Sequence, residues 1–220
     1  MSEQPPDDLT LLRQYEPLLR HTNGEHFFPT RVERYVERSA LWFRPADGPA
    51  VELIPSGGLE IDRLGLPLPY EDTPGIHFLQ FAKPLTGRAL QRVINRRGRP
   101  RFRGRGRLAR VGLVARLVDA FFTVSLWLRG TVPGGTAAAA EEAYNEMQAA
   151  RESYTYYGRV LRQDGYIVLH YLFFYCMNDW RSSFHGVNDH EADWEQVFIY
   201  LENCDGGDLR PVWIACAAHD

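Results

Sequence analysis

The chain has 220 residues, of which 45% are hydrophobic and 13% aromatic, and its formal net charge is −3. This composition is typical of a packed globular protein and excludes an intrinsically disordered one, and the length suits one large domain. A slightly acidic chain is also a poor electrostatic match for nucleic acid as its main partner.

The cysteines and the N-terminal residues indicate the cellular compartment of the protein. Three cysteines, Cys176, Cys204 and Cys216, lie in or beside predicted strands without a CxxC spacing, which favours a reducing compartment. The first residues, MSEQPPDDLT, are acidic and polar and carry no secretory signal. We therefore expect a cytoplasmic protein whose residues 1–14 are disordered.

The next part of the chain predicts an extended segment, a turn at Asn23-Gly24 and a helix capped by Thr30. Apolar residues recur at helical spacing along this helix: Val32, Tyr35, Val36 and Ala40. Residues 44–87 are rich in Pro and Gly and predict short strands joined by loops.

An arginine-rich stretch, NRRGRPRFRGRGRLAR, occupies residues 95–110 and contains eight arginines. The apolar residues 111–128 follow, interrupted by Arg116 and Asp119, and these two charges make a membrane-spanning helix costly. We predict a buried or surface-lying helix, and basic residues before such a helix also suit an anionic membrane surface. No RNA-binding signature accompanies the arginines, so nucleic acid is the least favoured partner. A second helix is predicted in TAAAAEEAYNEMQAARESY.

From residue 156 onward the pattern changes to strands. YYGRVLR and YIVLHYLFFYCMNDW predict a hairpin around the turn QDG, and WEQVFIYL and RPVWIACAAH follow. His170, in the middle of the second strand, is expected to be a core histidine bonded to a neighbour. The chain stops directly after the fourth strand, which indicates that later strands of the fold are missing.

Together these elements predict an α+β fold. We expect a single domain, 15–220, containing an antiparallel β-sandwich formed by residues 15–87 and 156–219. Residues 88–153 would be an arginine-rich, helical insertion. The oligomeric state is not predicted.

A charged run, NDHEADWEQVFIYL, opens the third of these four strands. Strand alternation places Asp193 and Glu195 on one face, and His190 in the preceding loop is free to fold over that face. One imidazole with two or more carboxylate oxygens suits Mg²⁺, Ca²⁺ or Mn²⁺. A solvated acidic cap, or an acidic patch neutralised by Arg181, also fits the spacing.

The same run resembles the heptapeptide region of the necrosis- and ethylene-inducing-peptide-like proteins, through His190, Asp193, Trp194 and Glu195. It is also similar to a vacuolar-protein-sorting-like family, which has an aromatic strand before the motif, a strand ending in His after it and a pattern like EPLLRHTNGEHFFP. These resemblances cover roughly residues 15–32 and 156–219. They imply a β-sandwich with a divalent metal at one end, held by the same His and acidic positions together with an upstream Asp, here Asp179.

Four further residues are predicted to contact a ligand beside the cation: Trp180, Asp189, Trp194 and His219. An aromatic residue there would stack on a sugar or headgroup, although aromatics at strand ends are more often packed. The sequence thus predicts a metal-binding module that recognises a polar headgroup or a glycan at a membrane surface. Two alternatives stay open: a metal-dependent hydrolase of a phosphodiester or ester with Glu191 as the base, and a structural protein without a metal.

Overall fold

The computed structural model describes residues 7–21, 25–89, 92, 134–149, 154–178, 190–204 and 208–217. The architecture is mixed α+β, with a few helices and two antiparallel sheets, one of three strands and one of four. The chain forms two compact units, whereas we expected a single domain over 15–220. Unit 1 comprises Met1–His21, Thr155–Phe174 and Trp194–Asp220, and unit 2 comprises Thr22–Tyr154 and Tyr175–Asp193.

The helices and strands of the described residues follow one another along the chain in this order: helix α1 (Asp8–Gln14), helix α2 (Val32–Arg38), strands β1 (Ala40–Pro45), β2 (Val51–Ile54) and β3 (Gly75–Gln80), helix α3 (Gly134–Ala149), and strands β4 (Tyr157–Gln163), β5 (Tyr166–Asn178), β6 (His190–Asn203) and β7 (Leu209–Cys216). A 3-10 helix, Ile61–Gly65, lies between β2 and β3.

Helix α1 corrects the expectation of a disordered N-terminus, which does not hold for residues 8–14. The Asp7 carboxylate accepts a hydrogen bond from the Thr10 amide at 2.9 Å, which caps the helix. Leu11 and Leu12 are buried. The helix therefore buries two adjacent leucines, although the N-terminal sequence around them is acidic and polar.

The four-stranded sheet follows the predicted order β4-β5-β6-β7. Its first hairpin turns at Asp164 and Gly165, which both have positive φ, as a two-residue hairpin turn requires. The central strand β5 is apolar on both faces, and Leu169 and Tyr171 are completely buried. A Cβ at position 158 in β4 would lie 2.9 Å from Leu12, so the glycine lets α1 pack against the sheet.

In unit 2, helix α2 is shorter than the sequence pattern suggests. Its N-cap residue is Arg31 and not the predicted Thr30. The Thr30 side chain is buried. The helix ends at Arg38 because the Ser39 backbone is extended, with φ −85° and ψ 148°, and the aromatic residues that follow favour a strand. The Ser39 hydroxyl donates to the Tyr35 carbonyl at 2.7 Å. Ala40, expected in the helix, therefore begins β1, the central strand of the three-stranded sheet β2-β1-β3.

The predicted insertion is described only in part. Helix α3 confirms the helix expected after the glycine turn, and it begins where Gly135 lies directly against the Leu85 carbonyl. The arginine-rich stretch 95–110 and the apolar residues 111–128 lie outside the described residues. Among the helices that are described, none is long and apolar enough to cross a membrane.

Candidate functional site

The described part of the charged run lies in strand β6, which begins at His190 rather than after it. Ala192 has a φ of 61°, in the left-handed region that residues with a Cβ rarely adopt. Residues three apart in a regular strand are separated by ~10 Å and point to opposite faces. The bend at Ala192 instead places His190 Nε2 3.4 Å from Asp193 Oδ1.

The two side chains of this contact differ in exposure. The Asp193 side chain is 8% exposed and that of His190 is 45% exposed. Two ligand atoms at right angles around a cation, each about 2.1 to 2.3 Å from it, lie roughly 3.0 to 3.3 Å apart. The observed separation is therefore close to that of two neighbouring metal ligands.

Glu195 and Trp194, the next two motif residues, belong to unit 1, whereas His190 and Asp193 belong to unit 2. The Trp194 ring is 39% exposed and packs against the rings of Phe174 and Tyr157, with centroid distances of 4.9 and 5.7 Å. These contacts favour the packing interpretation of this tryptophan.

The other predicted site residues, Asp179, Trp180, Asp189 and His219, lie outside the described residues. So does Arg181, the cation expected to neutralise an acidic patch. Within the part of the chain that the structure describes, no three His, Cys, Asp or Glu side chains are grouped so that they could hold a metal ion. The described portion of the site is therefore the pair His190 and Asp193.

Glu191 points into unit 2, where its carboxylate binds backbone amides. One oxygen accepts from the Phe81 amide at 2.8 Å and the other from the Ala82 amide at 3.0 Å, with the Tyr35 hydroxyl 3.5 Å away. Burial raises the pKa of the Glu191 carboxyl, and the three hydrogen bonds act in the opposite direction. With both oxygens engaged, Glu191 anchors the segment after β3 and is poorly placed to act as the base of a hydrolase.

A second acid–histidine contact in unit 2 was not predicted from the sequence. His26 Nδ1 lies 2.5 Å from the Glu141 carboxylate, and this pair links the segment before α2 to α3. Arg38 and Glu146 make a similar link at 2.9 Å. The partners are 115 and 108 residues apart, so no local spacing could have revealed them.

Comparison of the chain with protein-family models, with curated proteins and with solved structures found no match. The resemblances to the two families therefore rest on the quoted motif residues.

Proposed function

We propose that the start of β6 binds a divalent cation, and that the protein is a metal-dependent binding module for a polar headgroup or a glycan. The observation that supports this proposal is the contact between His190 and Asp193. It exists only because Ala192 adopts a left-handed conformation, which costs on the order of 1 to 2 kcal/mol for a residue with a Cβ. Strained backbone of this kind clusters at ligand sites, where surrounding interactions maintain it.

The side chains of the pair indicate which ion is preferred. Carboxylate oxygen with a single imidazole suits Mg²⁺, Ca²⁺ or Mn²⁺, which retain water at the remaining positions. Asp179 is the further ligand in this proposal, whereas Glu195 belongs to unit 1 and is not grouped with the pair among the described residues. Phosphate or hydroxyl oxygens of a headgroup or glycan would replace the bound water, next to the proposed ligand contacts. Those contacts are Trp180 and Asp189.

The proposal extends to the fold and the location. Two antiparallel sheets supply the strands that a β-sandwich needs, and a sandwich with metal at one end is what the motif resemblance implies. A cytoplasmic location is part of the proposal, and contact with an anionic membrane surface fits the arginine-rich stretch 95–110.

A structural role for the charged run is the second candidate, and Glu191 is the observation that favours it. Its carboxylate is used to hold the Phe81 and Ala82 amides, as expected of an acidic residue that fixes a loop. The same contacts remove the residue that the hydrolase alternative required.

Calorimetry with Ca²⁺, Mg²⁺ and Mn²⁺ tests the proposal. We expect the wild-type chain to bind one of these ions and Asp193→Asn to bind it at least about tenfold more weakly, because a ligand is lost. At a free ion concentration of 100 Kd, binding should stabilise the wild-type chain by about 2.7 kcal/mol. Asp62→Asn, at an exposed position in the 3-10 helix, is the control and should bind normally.

Chelation separates the metal site from a structural cluster. With the ion present, Asp193→Asn should destabilise the protein because a ligand is lost, whereas in excess EDTA the same change should destabilise it much less. A variant that is equally destabilised with and without EDTA would leave only the structural role, and so would a wild-type chain that binds none of the three ions.

A further inference from the structure

The outer edge strand β7 exposes two neighbouring large apolar side chains in unit 1. β7 is the last strand in the order β4-β5-β6-β7, and in the described part of the chain no strand pairs with its outer side. Trp213 and Ile214, which point to opposite faces of the sheet, are 69% and 66% exposed. Large apolar side chains are therefore exposed on both faces of one edge strand.

The backbone of β7 has hydrogen-bonding groups on this edge. The Ala217 amide donates to the Gln196 carbonyl at 3.0 Å, so this residue faces β6. Because the direction of the backbone groups alternates along an antiparallel strand, Ile214 and Cys216 turn their N–H and C=O groups outward. An extended chain beside β7 would therefore form the regular backbone hydrogen bonds of an antiparallel pair with these groups.

The opposite edge of the same sheet is protected. β4 carries Arg159 and Arg162, and the latter forms an ion pair with Asp8 of α1 at 2.7 Å. Charged residues and a covering helix are the usual means by which proteins prevent edge-to-edge pairing. Residues 212–217 of the β7 edge contain no charge and no proline, since Pro211 lies near the start of the strand. Among the described residues, the β4 edge is therefore blocked and the β7 edge is not.

We propose that two copies of this chain pair in antiparallel fashion through β7, joining two four-stranded sheets into one. The partner must be an extended strand with apolar residues on both faces and outward amides, and β7 itself has these properties. In a two-fold arrangement centred on Ile214, this residue and its equivalent in the second copy exchange two hydrogen bonds, and Trp213 lies opposite Ala215. Arg210, the charged residue of β7, falls outside the paired segment, so no like charges oppose each other.

The expected dimer is weak. Pairing of one short strand with two large side chains per copy buries less than the ~800 Å² per partner of a standard interface. The association should therefore depend on protein concentration, unlike that of an obligate dimer.

Sedimentation velocity of the whole chain over a range of concentrations tests this proposal. A reducing agent is required throughout, because Cys216 is exposed and could otherwise cross-link two copies. We expect the wild-type chain to shift toward twice the monomer mass as concentration rises. Ile214→Lys should weaken dimerisation at least tenfold, because it places two ammonium groups opposite each other at the two-fold axis.

Leu161→Lys is the matched control, since it makes the same change at an exposed position of the other edge strand, β4. It should leave the dimer unchanged, and circular dichroism should show that both variants are folded. Hydrogen exchange of the wild-type chain gives an independent measurement: protection of the Ile214 and Cys216 amides should rise with concentration. A chain that stays monomeric, a dimer unaffected by Ile214→Lys, or amides whose protection does not change with concentration would each overturn the proposal.

Discussion

His170 illustrates at the scale of one residue how the four-stranded sheet accommodates a buried polar group. Arg159 Nε donates to His170 Nδ1 at 2.9 Å, and since arginine can only donate, the ring proton is on Nε2. His170 Nε2 donates it to the Gln196 side-chain oxygen at 2.8 Å. The expectation of a core histidine bonded to a neighbour is confirmed. Burial lowers the pKa of His170, and the positive charge of Arg159 acts in the same direction.

This environment predicts an acid-sensitive sheet. A folded-state pKa below the unfolded value of about 6.5 means that the unfolded chain binds more protons, so stability is complete above pH 6.5 and is lost as pH falls through the folded pKa. The free energy of unfolding, measured by urea denaturation between pH 5 and 7.5, should therefore rise with pH. This slope should be smaller in His170→Asn, which retains an acceptor for Arg159. An unchanged slope in His170→Asn would assign the acid sensitivity to other groups.

The residues of the candidate site were predictable only in part. Spacing placed His190 and Asp193 near each other, because the residues between them are few and the strand that follows has a clear alternation. The same alternation could not show that Glu191 turns inward, since its amide partners lie 110 and 109 residues earlier in the chain. Long-range contacts of this kind leave no local signal in the sequence.

At the scale of elements, the strands after residue 156 were predicted because their signals are local. Alternating apolar residues and an Asp164-Gly165 turn define a hairpin whatever surrounds it. Helix α1 and the end of α2 were not predicted correctly, because both depend on burial. Leu11 and Leu12 stabilise α1 only once they pack, and the apolar spacing of α2 continues into β1 without interruption.

The bend in β6 makes a prediction about backbone strain. Ala192→Gly should stabilise the protein by roughly 0.5 to 1 kcal/mol, because glycine adopts a positive φ without the Cβ clash, and this outweighs its greater flexibility when unfolded. Ala215→Gly is the matched control in β7, where the backbone is extended and the change should destabilise by roughly 0.5 to 1 kcal/mol. Urea denaturation of both variants measures whether each change raises or lowers the free energy of unfolding. Equal losses of stability would show that Ala192 is not strained in solution.

At the scale of the whole molecule, the division into two units could not be predicted. The boundaries at 174/175 and 193/194 fall inside the continuous strands β5 and β6, so no linker composition marks them. Charge, by contrast, follows directly from the sequence. Because the whole chain carries −3 and residues 95–110 carry +8, the remaining residues carry −11.

This separation of charge predicts binding to anionic membranes through residues 95–110. Each basic residue near an anionic surface contributes about 1 kcal/mol, and salt screens the attraction within about 10 Å at 0.1 M. We expect the wild-type chain to sediment with phosphatidylserine vesicles at low salt and to be released at high salt or with neutral vesicles. Replacing Arg101, Arg103, Arg105 and Arg107 by Gln should weaken the binding at least tenfold. The control variant has the same change at four exposed positions elsewhere: Arg13, Arg20, Arg44 and Arg210. It removes equal charge and should retain most of the membrane binding. Equal losses in the two variants would assign the effect to net charge, and no sedimentation of the wild-type chain would exclude the membrane as its partner.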